Sequence, residues 1–121
     1  MQRVDGIGGF FFKADDPSAL YAWYEEHLGV APPPTSYEAP CWTQSAGETV
    51  FAPFGPESWE SPHLGHAGWG INFRVSDLDS MVAQLRAAEI DVEVDPESYP
   101  NGRFAQFRDP EQNAIQLWEP A

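Results

Sequence analysis

Few side chains in this chain of 121 residues are of a kind that makes or breaks bonds: it holds 3 His, 1 Cys and 6 Lys plus Arg against 19 Asp plus Glu. His63 and His66 form an H-x-x-H pair. Two imidazoles at that spacing can share a divalent cation, but only with further anionic or imidazole donors, and no Cys or carboxylate cluster accompanies them. They read as solvated loop residues, and His66 remains a candidate acid–base residue if its segment reaches a cavity rim. His27 sits late in an expected helix, where a histidine suits the helix end. Cys41 has no cationic neighbour to lower its pKa and reads as an inert, buried thiol. No G-x-S-x-G elbow occurs, and neither "GIGG" nor "GHAGWG" makes a dinucleotide fingerprint. What remains is equipment for recognition: amides at Asn72 and Gln116, cations at Lys13 and Arg74, and many aromatic rings.

The elements that must position these residues are written twice. "GGFFFKADDP" (Gly8–Pro17) and "WGINFRVSDL" (Trp69–Leu78) share one pattern, pairing Gly9 with Gly70, Phe12 with Phe73, Lys13 with Arg74 and Asp16 with Asp77. Val4–Ala14 and Trp69–Val75 read as strands, being apolar or aromatic and bounded by turn residues. Asp16 and Asp77 then cap helices. In the first helix Leu20, Trp23, Tyr24 and Leu28 form a stripe that ends at Gly29. In the second, Leu78, Met81, Val82 and Leu85 form the buried side. "APPPTSYEAP" (Ala31–Pro40) is a loop or edge segment, because proline cannot donate to a ladder. Cys41–Ala46 and Glu48–Phe54 predict a hairpin, Gly55–Gly68 a connector, Ile90–Val94 a short strand, and Arg103–Phe107 with Ala114–Trp118 a closing hairpin. Each half thus reads β-α-β-β-β, and two such sheets side by side can curl into a cup.

The bulk properties exclude whole classes of partner. A formal net charge of −13 argues against nucleic acid and anionic membrane, both of which need a basic face. Five Trp and eight Phe argue against disorder. The single cysteine forms no intramolecular disulfide, which fits a reducing compartment. The N-terminus lacks a signal-peptide pattern, and no run approaches the roughly 20 apolar residues of a membrane helix. A soluble, cytoplasmic protein of one domain is expected.

Three stretches carry a resemblance. "DPSALYAWYEEHLGV" (Asp16–Val30), "FRVSDLDSMVAQLRAAEI" (Phe73–Ile90) and "GRFAQFRDPEQNAIQLWEP" (Gly102–Pro120) resemble the vicinal oxygen chelate superfamily of glyoxalase I, extradiol dioxygenases and bleomycin-resistance proteins. The resemblance implies an α+β fold: a single glyoxalase-like domain over 1–121, with two βαβββ modules (1–58 and 66–121) in a curved mixed sheet around a concave cavity. It also implies a homodimer. Metal-dependent members place ligands on the concave face, and the matching positions here are Gly9, Gly70 and Gln116, with Phe51 or Ala52 as the fourth. Glycine has no donor, and a neutral amide is a poor substitute for carboxylate. No cofactor, and no divalent metal, is therefore expected. The family's hairpin turn usually reads D-P-x-G-N, where Gln112 now stands in the glycine position and should carry strain.

Strand alternation assigns faces. If Phe10 and Phe12 pack beneath a helix, Gly9, Phe11 and Lys13 face the cup. Gly70, Asn72 and Arg74 face it from the second module, as do Ala114, Gln116 and Trp118, whereas Ile71, Phe73, Ile115 and Leu117 go to the core. Trp42 and Phe51 join the expected lining. A cup of Phe11, Lys13, Trp42, Phe51, Asn72, Arg74, Gln116 and Trp118 suits a small organic ligand, aromatic or anionic. The expected function is metal-independent binding of such a molecule. One alternative is a lyase, isomerase or dioxygenase-like enzyme with displaced metal ligands. A second is a dimeric module that serves another protein.

Overall fold

In a computed structural model that describes all 121 residues, the backbone divides into two units, Met1–Trp42 and Thr43–Ala121. The first contains helix α1 (Pro17–Leu28). The Asp16 side chain accepts the Ala19 N–H at 3.2 Å, Pro17 occupies the first turn, and Gly29 closes the helix at φ +70°. Leu20 and Tyr24 are buried, so the expected stripe is real.

The second unit is built on a βαβββ order: β1 (Gly70–Arg74), α2 (Leu78–Ala87), β2 (Glu93–Val94), β3 (Gly102–Arg108) and β4 (Ala114–Pro120). A turn of 3-10 helix at Pro56–Ser58 precedes it. The sheet is mixed, in the order β1-β4-β3-β2, with β1 parallel to β4 and the other pairs antiparallel. Its core is the layer between sheet and α2: Leu78, Val82 and Leu85 from the helix meet Ala105, Phe107, Ile115 and Leu117. The Asp77 carboxylate caps α2 by accepting the Ser80 N–H at 3.0 Å. Two polar ties join helix and sheet: Glu119 on β4 accepts the Leu78 N–H at 2.8 Å, and Arg103 on β3 donates to Asp79 at 2.9 Å.

The β3–β4 turn keeps its left-handed residue even though that residue is Gln112, at φ +66°. Buried Asp109 compels it, accepting the Glu111 N–H at 2.8 Å, the Asn113 N–H at 3.0 Å and the Asn113 side-chain N–H at 2.8 Å. No positive φ occurs among the residues of Val4–Ala14, Cys41–Ala46 or Glu48–Phe54, but these expected strands form no ladder in the single chain. A strand is defined by a ladder of hydrogen bonds with a neighbour, and no such ladder runs along them. The expected strand at Ile90–Val94 is reduced to its last two residues for the same reason, since only Glu93 and Val94 have partners on β3.

Candidate functional site

The sheet face turned away from α2 is a grid of three rows, fixed by the strand registers. Gly70, Ala114 and Arg108 form the first row, Asn72, Gln116 and Gln106 the second, and Arg74, Trp118 and Phe104 the third. Alternation puts Ile71, Phe73, Ile115 and Leu117 on the opposite side, as expected.

The middle row is a chain of amides. Asn72 Nδ2 donates to Gln116 Oε1 at 2.7 Å. The Nε2 atoms of Gln116 and Gln106 lie 3.4 Å and 3.3 Å from His63 Nδ1. His63 arrives from the connector, its N–H donating to Ser61 Oγ at 3.2 Å and its ring standing edge-on to Phe54 at 6.1 Å. The connector crosses the sheet because position 70 is glycine: the His63 carbonyl oxygen fills the space a Cβ there would need. The Gly65 N–H donates to the Trp69 carbonyl at 2.7 Å and closes the crossing. Gly70 is therefore a point of close backbone approach.

The outer rows are more occupied than the sequence suggests. Trp118 is only 8% exposed. It stacks on Phe104 with ring centres 6.4 Å apart and donates its indole N–H to the Asn101 carbonyl at 2.8 Å. Tyr99 meets Phe104 edge-on at 5.9 Å, and its hydroxyl donates to Asp95 at 2.9 Å, a bond that pushes its pKa up to about 12. Arg74 lies over Gly47 and donates to the Ser45 and Ala46 carbonyls at 3.0 Å and 3.4 Å. Its guanidinium clamps a turn instead of pointing into water. Arg108 donates to the Gln112 carbonyl at 3.3 Å and, with Trp59, Leu64 and His66, lines an open cavity of ≈ 470 Å³.

The structure thus brings Asn72, Arg74, Gln116 and Trp118 onto one face, with His66 at its Arg108 end. Phe11 and Phe51 are 95% and 87% exposed, Trp42 is 42% exposed, and Lys13 is exposed as well. Cys41 is exposed, not buried, because the strand expected to bury it does not form. Gln106 escaped the sequence reading, in which His63 is a solvated loop residue. Gln106 was accessible to it, since Gln106 and Gln116 lie equally far from Glu111 at the centre of the hairpin turn. His63 carried no such signal, because nothing in the sequence says where a connector crosses a sheet. Chemically, the middle row offers one imidazole and three carboxamides. No group of three His, Cys, Asp or Glu side chains gathers anywhere in the molecule.

Comparison with known proteins agrees with this architecture. The family model of the Glyoxalase/Bleomycin resistance protein/Dioxygenase superfamily matches residues 6–117. No curated protein matches the sequence. TnmS3, an antibiotic binding protein from Streptomyces sp. CB03234, aligns over 100% of both chains with a TM-score of 0.63 at 19% identity, a likeness of fold. A glyoxalase/bleomycin resistance protein from the same Streptomyces is 36% identical over 41% of this chain and 43% of its own, with a TM-score of 0.38. A glyoxalase family protein from Bacillus anthracis is 26% identical over 41% of this chain and 40% of its own, also at 0.38. In these last two structures the matched region spans about two-fifths of the relative.

Proposed function

The chain belongs to the Glyoxalase/Bleomycin resistance protein/Dioxygenase superfamily, and on that premise we propose that it binds a small, flat organic molecule on the sheet face opposite α2, without a metal ion. The observation that carries this reading is the row Asn72–Gln116–Gln106–His63. Uncharged donors and acceptors converge on a face with Trp118 and Phe104 in one flanking row and Phe54 against His63, which is the composition of a site that orients a ligand by a few polar contacts. The full-length likeness to a protein described as antibiotic binding supports a small-molecule ligand.

The inherited metal position does not fit a cation. At Gly70 there is no donor, and the space is filled by the His63 carbonyl. At Gln116 the amide oxygen is committed to Asn72. A divalent ion needs several anionic or imidazole donors to offset its dehydration, and beside its amides the middle row supplies the His63 imidazole and, on the edge strand, the Glu93 carboxylate. In this reading the protein acts in the cytoplasm as a homodimer. The exposed aromatic run Phe10, Phe11 and Phe12, 47%, 95% and 39% exposed in the single chain, supports a second copy as its cover.

Two measurements on the purified protein test the reading. A thermal-shift panel of planar aromatic ketones, acids and fused-ring antibiotics should raise the melting temperature with at least one member. The shift should be lost in Gln116→Ala, which removes the centre of the row. Metal analysis after incubation with zinc, nickel or iron should find no stoichiometric ion. A retained ion would favour the enzyme reading, and a flat panel would favour an interaction module.

A further inference from the structure

We infer that His63 is a ligand-recognition residue of this face, held as the neutral imidazole with its proton on Nε2, and that it receives a hydrogen-bond acceptor such as the carbonyl oxygen of a planar ligand. The inference rests on reading the face as a ligand site and adds to it the residue, the tautomer and the ligand group.

Asn72 sets the order of donors and acceptors along the row. Its Nδ2 can only donate, so the Gln116 atom 2.7 Å away is the amide oxygen, and the Gln116 NH2 group is turned toward His63. Gln106 turns its own NH2 to the same ring nitrogen. A nitrogen approached by two N–H donors must be the bare, accepting one. The imidazole proton is therefore on Nε2, which donates to no protein group and is free to donate to a ligand. The ring's position is equally determined. The His63 carbonyl rests on Gly70, the Ser61 hydroxyl accepts the His63 N–H, and Phe54 stands against the ring.

The row has no place for a second ring proton. Protonating Nδ1 would set its N–H against those of Gln106 and Gln116, so the imidazolium must leave the row. The elements around His63 present Gln106 on β3, Gln116 on β4, the Gly70 backbone on β1, and Ser61 and Phe54 from the preceding segment. The charged or titratable side chains of the same face are Arg74, Arg108 and Glu93, with His66 in the connector. None of them is an acceptor bonded to His63 that would stabilise the protonated ring in place.

Fluorenone and fluorene, which share a flat shape and differ by one carbonyl, make suitable probes for calorimetry. The wild-type protein should bind fluorenone about three- to tenfold tighter than fluorene, the range of one net hydrogen bond. His63→Phe should erase that preference, so that the two probes bind alike. His63→Gln, which keeps a neutral donor, should retain the preference. Gly70→Ala, which displaces the His63 main chain, should act like His63→Phe. Because His63 is exposed, its substitution spares the core. Nitrogen NMR of the wild-type imidazole should report a bare Nδ1. Equal binding of both probes, or a proton found on Nδ1, would overturn the role of His63 and leave the ligand face standing. Failure of both probes to bind would overturn the ligand-face reading along with it.

Discussion

Gly8–Pro17 and Trp69–Leu78 carry one pattern and meet different surroundings. In both copies the aspartate caps a helix by accepting the N–H three residues on, Asp16 from Ala19 at 3.2 Å and Asp77 from Ser80 at 3.0 Å. Both helices run into a left-handed residue, Gly29 at φ +70° and Glu89 at φ +64°. The strands differ. Gly70–Arg74 is bonded along β4, whereas residues 8–13 have no ladder. Yet Phe10 and Phe12 share a side, with rings 5.4 Å apart, while Phe11 is 95% exposed. The first copy thus has the side-chain alternation of a strand without a strand ladder. Caps and helix ends are settled within a few residues and recur wherever the pattern recurs. A strand is settled by what lies beside it.

The largest expected effect tests which half holds the fold. Leu85 and Leu117 are 0% exposed in the layer beneath the sheet. Leu85→Ala should cost about 2–5 kcal/mol in chemical denaturation, through lost burial and the cavity left behind. Phe11→Ala should leave the stability of the single chain within about 0.5 kcal/mol, as for other surface changes. It should weaken self-association, read by sedimentation. An equal loss of chain stability in both variants would mean that the first half is packed as tightly as the second.

The same division explains what could be read from the sequence. The β3–β4 hairpin was legible because Ile115, Leu117 and Phe107 alternate with polar residues on both sides of a turn written D-P-x-x-N. The helices were legible from their caps and stripes. Of the candidate site, alternation placed Asn72 and Gln116 on one face, and hairpin symmetry would have added Gln106. The path of His63 over Gly70 was not legible, because it depends on a turn closed by Gly65 and Trp69. Nor were the uses of the outer row, where Trp118 spends its N–H on Asn101 and Arg74 its guanidinium on Ser45. Those partners are distant in sequence, and no local pattern announces them.

A smaller effect separates the two caps. Asp16→Ala should lower stability by about 1 kcal/mol, the usual cost of a lost aspartate cap. Asp77→Ala should lower it in the same sense, with an added dependence on pH. The backbone N–H of Ser80 first, and its hydroxyl second, hold the Asp77 carboxyl below its usual 3.8. A carboxyl depressed in the folded state contributes stability that is present above its unfolded pKa and is lost as pH falls through the folded one. The gap in melting temperature between wild type and Asp77→Ala should therefore be widest above about pH 4 and close on further acidification. In Asp77→Asn, which retains an oxygen acceptor, this carboxyl's contribution to the pH dependence should vanish. An acid-independent gap would place the stabilisation elsewhere than in the ionised cap.

The smallest effect concerns the left-handed residues. The first helix closes on glycine, which reaches φ +70° without hindrance, whereas Glu89 and Gln112 hold φ +64° and +66° against their own Cβ atoms. Both are exposed, so replacing them removes little packing. The backbone bonds around them stay: Glu89 N–H to the Arg86 carbonyl at 3.0 Å, Gln112 N–H to the Asp109 carbonyl at 2.9 Å, and Arg108 to the Gln112 carbonyl. Glu89→Gly and Gln112→Gly should each raise stability by about 0.5 kcal/mol, the relief of strain less the greater freedom glycine gives the unfolded chain. Gly29→Ala should do the reverse by about 1 kcal/mol. If Gly29→Ala is costly while Glu89→Gly gains nothing, the contacts that Glu89 makes, and not the αL geometry common to both helix ends, decide the balance in the second half.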